Sequence, residues 1–298
     1  MNYSDLDNEI KDLIKGKIEI NKPMKKYTSF KVGGKADIVA AVDQIDQLKK
    51  LIAYLKENNI PYFVIGNGTN LLIKDEGIRG VIIKLSGSFK KILITGQTIQ
   101  AGAGVTLNKL LEMSIKYNLS GLEFTTGIPG SVGGSLLMNA GIKGCSIGGV
   151  VDWVKVLSPE MKEVILKAKE IKFYYRESNL SQYIILEAGF SLEKSSRKAI
   201  LERIKLYQER RTSINFPNAG SIFKNPLGRF AGELIEKAGL KGYSIGDAQV
   251  FPGHANFIQN IGRAKAKDIL LLIDKIKETV QAQFGVNLEL EIKVVGDN

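Results

Sequence analysis

GIPGSVGGSLLMNAG, running from Gly127 to Gly141, is the stretch on which the reading of this fold turns. It gathers five glycines and a proline around the start of an apolar run. Glycine costs conformational entropy on folding, so it marks places where the chain turns through positive φ or where something approaches the backbone closely. Ser131-Val132-Gly133-Gly134 leading into SLLMNA reads as a helix opening, and a helix N-terminus presents unsatisfied N–H groups to an anion. Two more glycine loops lie upstream. GNGTN, Gly66 to Asn70, follows the strand-like PYFVI, and AGAGVTL, Ala101 to Leu107, precedes a helical pattern. None is a P-loop, because no Gly-Lys-Ser/Thr follows, and GNGTNL lacks the last glycine of the dinucleotide fingerprint. Pattern alone leaves two readings open: glycines that pack, or backbone N–H groups that cradle a diphosphate.

Around these loops, strand and helix patterns alternate. Residues 43–58 read as a helix capped by Asp43, with Ile45, Leu48, Leu51, Ile52 and Leu55 on one face. PYFVIG reads as a buried strand, and short strands follow at 80–85, 91–95 and 98–104. Residues 106–118 read as a helix capped by Thr106. Strands are expected at 151–158 and 183–192, helices at 195–213, about 230–238 and 264–283, and LELEIKVVG as an alternating terminal strand. The class is mixed α/β or α+β, with a domain boundary expected in the long helix near 195–213.

Composition narrows the function. The chain has 298 residues, 44% hydrophobic and 24% charged, enough for two or more cores. Its apolar runs fall short of the ~20 residues of a membrane span. MNYSDLDNEIKDLIKGK is acidic and amphipathic, unlike a signal peptide. One cysteine, Cys145, allows no internal disulfide and fits a reducing cytoplasm. One histidine, His254, beside that one cysteine, argues against a zinc site or a Ser-His-Asp machine, and no metal is expected. The net charge of +11 invites a nucleic-acid reading, but the lysines are dispersed and form no basic arm. A solvated lysine-rich surface, or a basic cleft for small polyanions such as diphosphates, explains the charge.

Six motifs occur in one order: TSFKVGGKAD (28–37), VIGNGTNLLI (64–73), the opening stretch, FYYRES (173–178), NAGSIFKNP (218–226) and LELEIKVVG (288–296). Together they resemble the MurB family, the UDP-N-acetylenolpyruvoylglucosamine reductases of bacterial cell-wall synthesis, in its shorter type. The resemblance implies an α+β protein with the FAD-binding fold of the p-cresol methylhydroxylase type and a C-terminal α+β substrate domain. It implies three parts: 1–60, the N-terminal α/β part of the FAD module; 61–204, its strand-rich second part; and 205–298, the substrate-binding domain. Non-covalent FAD and NADPH as reductant are implied, as is a UDP-sugar substrate. No nucleic acid, membrane or obligate protein partner is expected.

The same resemblance implies the site. Gly66, Asn67, Gly68, Thr69, Asn70, Gly127, Pro129, Gly130, Ser131, Gly133, Gly134 and Asn139 match cofactor-binding positions. Arg176 matches the arginine beside the reacting carboxylate, Ser221 the proton donor, and Glu291 the glutamate of the terminal strand. Lys224 and Asn225 match positions near the substrate, and Tyr175, which adjoins Arg176, is a candidate substrate contact. Taken singly, each has a plainer reading: a surface ion pair for Arg176, a turn serine for Ser221, a solvated strand face for Glu291. His254 is read as structural. The chain departs from its relatives before the NAGS turn, where INFP replaces a longer run with a Lys/Gln-Pro element; Arg210 or Arg211 is a candidate stand-in. Two rivals are another flavoenzyme of the same fold and a non-catalytic basic nucleotide- or nucleic-acid-binding protein.

Overall fold

The structure, a computed structural model, describes residues 3–209 and 214–296, with the side chains of Tyr3, Ser4, Asp5 and Asp7 left aside. Strands Ile18–Pro23, Lys35–Val42, Ile78–Leu85 and Tyr62–Ile65 form a four-stranded sheet in that order. The chain divides into two compact units. One comprises residues 1–19, 39–67 and 82–211; the other comprises 20–38, 68–81 and 212–298. These are not consecutive segments, since two short N-terminal pieces group with the C-terminal part.

The first unit is built on a five-stranded antiparallel sheet. Its order is Glu163–Lys167, Val151–Leu157, Ile184–Ser191, Thr98–Gly102, Ile92–Thr95. Helix Tyr3–Leu13 buries Leu6 and Ile10, and helix Ile45–Glu57 buries Leu48, Leu51, Ile52 and Leu55, the face its periodicity predicts. Asp43 does not cap that helix. Gln44 holds the cap position without a side-chain bond, and the Asp43 carboxylate accepts from the Ser86 hydroxyl instead. Thr106 does cap helix Leu107–Lys116, its Oγ1 accepting from Lys109 N at 3.1 Å. The expected helix at 195–213 is observed over Arg197–Glu209, and residues 210–213 lie outside the described residues. Strand Tyr62–Ile65 is half-buried, with only Ile65 fully covered, because it is the last strand of its sheet.

The second unit has a four-stranded antiparallel sheet ordered Asn218–Ser221, Phe257–Asn260, Ala248–Val250, Ser244–Ile245. Helix Ala266–Phe284 shares a core with it that includes Phe30, Leu72, Phe223, Ile258, Ile269, Leu272 and Ile276. The Asp75 carboxylate accepts from Ala266 N and Lys267 N, both at 2.9 Å, and so caps this helix from 191 residues away. The terminal stretch is not one strand. Its Leu290 bridges Phe223 in antiparallel fashion, whereas Lys293–Val295 runs parallel to Leu71–Ile73. The chain changes partner at Glu291–Ile292, which form a bend.

Candidate active site

In the first unit the three glycine loops converge. Val132 N donates to Val105 O at 2.8 Å and Gly133 N to Ala103 O at 2.9 Å, which joins the third loop to the second. Thr106 bridges Ser131 across the same seam. The first loop arrives at Ser131 too: a Cβ on Gly66 would stand 2.3 Å from Ser131 Oγ, and Asn67 Nδ2 donates to Pro129 O at 3.5 Å. Gly66 is therefore glycine because the serine fills the space a side chain would need. A Cβ on Gly130 would likewise meet Ser135 Oγ at 2.8 Å, and one on Gly133 would meet Ala103 Cβ at 3.0 Å. Gly127 turns through φ 70°. Gly134 differs from these. Only Ser131 Oγ, at 3.3 Å, would lie within 4 Å of a Cβ there, and that oxygen already accepts from Gly134 N as the cap of the short helix Val132–Leu137. Packing thus accounts for part of the glycine content, and Gly134 marks the face it leaves open.

Two hydroxyls in this region, Thr126 Oγ1 and Ser135 Oγ, are buried without a hydrogen-bond partner. An orphaned buried polar group costs about 1–3 kcal/mol, a cost that a polar ligand removes. The loops therefore fit a diphosphate-bearing cofactor, with backbone donors, hydroxyls and an open glycine side by side.

The third loop also anchors the FYYRES hairpin. Asn139, at φ 42°, donates through Nδ2 to Tyr174 O at 2.8 Å and accepts from Gly148 N at 3.1 Å through Oδ1. Ser178 Oγ donates to Leu137 O at 3.0 Å. Strands Phe173–Tyr174 and Glu177–Ser178 pair so that Tyr175 and Arg176 are the two turn residues. Arg176 adopts φ 59°, a conformation that strains a residue with a long side chain and one usually given to Gly or Asn. Its guanidinium lies 5.2 Å from the centroid of the exposed Tyr175 ring. Strain of this kind persists only where the surrounding structure holds it.

In the second unit the rest of the GNGTN loop meets the C-terminal strand. Gly68 is pressed on Tyr27, whose carbonyl oxygen would lie 1.9 Å from a Cβ, while Thr69 sits half-buried in the turn. Asn70 Nδ2 donates to Glu291 O at 3.1 Å, and Asn70 O accepts from Lys293 N at 2.9 Å. Asn70 thereby brackets the bend at Glu291.

Ser221 ends strand Asn218–Ser221, opposite Phe257. The strand bulges just before it, at Gly220 with φ 76°, where a Cβ would meet nothing, and Asn218 Oδ1 accepts from Gly220 N at 2.9 Å. Glu291 N donates to Ile222 O and Lys224 N to Glu289 O, both at 2.8 Å. This ladder brings Glu291 opposite Ile222, one residue from Ser221. On the other edge, the buried Asn256 side chain supplies what a third strand would. It accepts from Phe223 N at 3.0 Å and donates to Phe223 O at 2.8 Å. Periodicity could not have singled out Asn256, because its role depends on a backbone 33 residues away.

Glu289 is exposed, its side chain 77% accessible, and pairs with Lys224 Nζ at 3.6 Å. Asn225 Oδ1 accepts from Ala231 N at 3.0 Å and caps helix Ala231–Lys237. His254 lies beside Gly232, packs edge-on to Phe257 with centroids 4.8 Å apart, and accepts from Asn256 N through Nδ1 at 3.3 Å. Burial pushes its pKa down. Arg210 and Arg211, the candidate stand-ins, lie outside the described residues. Among the described residues no cluster of metal ligands occurs, and no helix is long and apolar enough to cross a membrane.

Residues 36–165 match the model of the FAD binding domain, and 212–295 match that of the UDP-N-acetylenolpyruvoylglucosamine reductase C-terminal domain. The chain is 45% identical to the UDP-N-acetylenolpyruvoylglucosamine reductase of Caldanaerobacter subterraneus subsp. tengcongensis, over 98% of each chain. It is 43% identical to that of Desulforamulus reducens, over the full length of both. Its fold matches the crystal structure of UDP-N-acetylenolpyruvylglucosamine reductase (MurB) from Thermus caldophilus with a TM-score of 0.83 and 35% identity, covering 94% of this chain and 99% of that one. A fainter likeness to alkyldihydroxyacetonephosphate synthase, with a TM-score of 0.50 and 15% identity over 65% of this chain and 41% of that one, is one of fold alone. The glycine-loop domain is an FAD-binding domain of the expected type, and the chain belongs to the UDP-N-acetylenolpyruvoylglucosamine reductase family, FAD-dependent oxidoreductases of peptidoglycan synthesis.

Proposed function

We propose that this enzyme uses NADPH, in the cytoplasm, to reduce the enolpyruvyl ether of UDP-N-acetylglucosamine enolpyruvate to UDP-N-acetylmuramate. Residues 1–60 and 61–204 act as the two parts of the FAD module, and 205–298 bind the UDP-sugar. FAD, when bound, supplies the hydride that the vinyl carbon receives. The glycines of the 66–70 and 127–134 loops, with Asn67, Thr69, Asn70, Pro129, Ser131 and Asn139, hold the cofactor.

The remaining chemistry falls to side chains. The Arg176 guanidinium binds the substrate carboxylate and balances the negative charge that builds beside it. The Ser221 hydroxyl donates a proton to the carbon next to that carboxylate. Serine is a weak acid, but the enolate it meets is a strong base. Glu291 orients the reacting group and relays the proton. Tyr175, Lys224 and Asn225 contact the substrate.

The observation that carries the reading is the ladder in the second unit, where Glu291 N bonds Ile222 O at 2.8 Å and sets Glu291 one residue from Ser221. The test is Ser221→Ala in stopped flow. Reduction of the flavin by NADPH stays near normal, while its reoxidation by the enolpyruvyl substrate slows by ~10²-fold or more, the range of a lost general acid. Equal slowing of both phases would refute the assignment.

A further inference from the structure

Strand Ile78–Leu85 carries one lysine among buried aliphatic residues, and the side chain does not turn to water. Lys84 Nζ donates to Gly66 O at 3.1 Å. Gly66 is the residue that abuts Ser131, so the ammonium lies at the junction of the first and third glycine loops. Lys90, which ends the short turn Gly87–Lys90, packs its stem beside the second loop: its Cγ would stand 3.2 Å from a Cβ on Gly104. Lys84 thus stands at the junction of the first and third loops, and Lys90 beside the second.

We propose that Lys84, with Lys90 beside it, holds the diphosphate of FAD electrostatically at the junction of the three glycine loops. The inference rests on the assignment of these loops to the cofactor. Burial, and then the Lys90 charge, push the Lys84 pKa down. Both disfavour the ammonium, and an arriving dianion reverses both, because it provides the charge that burial took from water. The Gly66 carbonyl orients the ammonium. The lysine is therefore placed before the ligand arrives, and little ordering remains to be done on binding.

The experiment titrates apo-protein with FAD and, separately, with riboflavin, which lacks the diphosphate, following the quenching of flavin fluorescence. Lys84→Met keeps the aliphatic stem. It should weaken FAD by ~10-fold or more, as for a lost hydrogen bond to a charged group, and riboflavin by less than about two-fold. The melting temperature of the apo-protein should not fall, since a desolvated charge has been removed. Lys90→Met, at an exposed position, should weaken FAD by a smaller factor with the same sparing of riboflavin. Equal weakening of the two flavins in Lys84→Met would make Lys84 a loop bracket only, and unchanged FAD affinity would make its charge irrelevant; either overturns the proposal. Gly134→Val separates the premises. If it weakens FAD while Lys84→Met does not, the role of Lys84 fails. If it too leaves FAD affinity unchanged, the loop assignment itself fails.

Discussion

Asn256 is the residue whose replacement tests the second unit most sharply. It is 4% exposed, and its amide bonds both main-chain groups of Phe223, which is 1% exposed. The other edge of this segment is already committed, through Ile222 and Lys224, to the backbone at Glu291 and Glu289. Removing the amide therefore leaves the Phe223 N–H and C=O without partners in a dry place. Each orphan costs about 1–3 kcal/mol, so the pair costs about 2–6 kcal/mol. At about 2–4 °C per kcal/mol for a chain of this size, melting should fall by roughly 4–24 °C. Asn256→Leu fills the space and keeps water out, so it belongs at the upper end; Asn256→Ala leaves room for water and belongs at the lower. Asn256→Asp keeps the acceptor for Phe223 N but opposes Phe223 O with a carboxylate, and acid restores a donor by protonating it. Its deficit should narrow as pH falls. Circular dichroism melts and urea unfolding read all three, with the midpoint shifted and the slope unchanged. If Asn256→Leu melts with the parent, the claim that one side chain stands in for a strand is refuted.

Two further outcomes are expected. Glu291→Gln should slow flavin reoxidation by ~10²-fold or more while Glu289→Gln stays within a few-fold of the parent; stopped-flow traces that move together would show that the bend at Glu291 gives it no role its exposed neighbour lacks. His254 has its pKa lowered by burial, and its Nδ1 accepts from Asn256 N, so the folded state favours the neutral ring. For a base depressed on folding, the unfolded chain takes up the proton first. Stability is therefore lost as pH falls through 6.5 toward the folded value. The parent should lose more stability than His254→Leu between neutral and mildly acid pH, and a difference between the two that does not change with pH would contradict this.

What the sequence determined by itself is the part of the structure that short-range interactions control. Helix Leu107–Lys116 is legible because its apolar spacing and the Thr106 cap act within a few residues. Helix Ile45–Glu57 shows its buried face for the same reason. The order of six motifs carried the family, the cofactor and the reaction, since each motif is a local string. The tertiary structure decided everything that depends on a distant partner. Asp43, a plausible cap next to its helix, is taken by Ser86, while Asp75 caps helix Ala266–Phe284 from across the chain. The terminal segment alternates faithfully, with Leu288 and Ile292 buried and Glu289 and Lys293 exposed. Yet its break at Glu291 comes from exchanging Phe223 for Leu71–Ile73 as neighbour, and no periodicity records such an exchange. Within the strand expected at 80–85, nothing marks Lys84 until Gly66 is folded against it. Capping and periodicity act over a turn or two of chain, whereas desolvation, ladder pairing and electrostatic placement act between whatever the fold brings together.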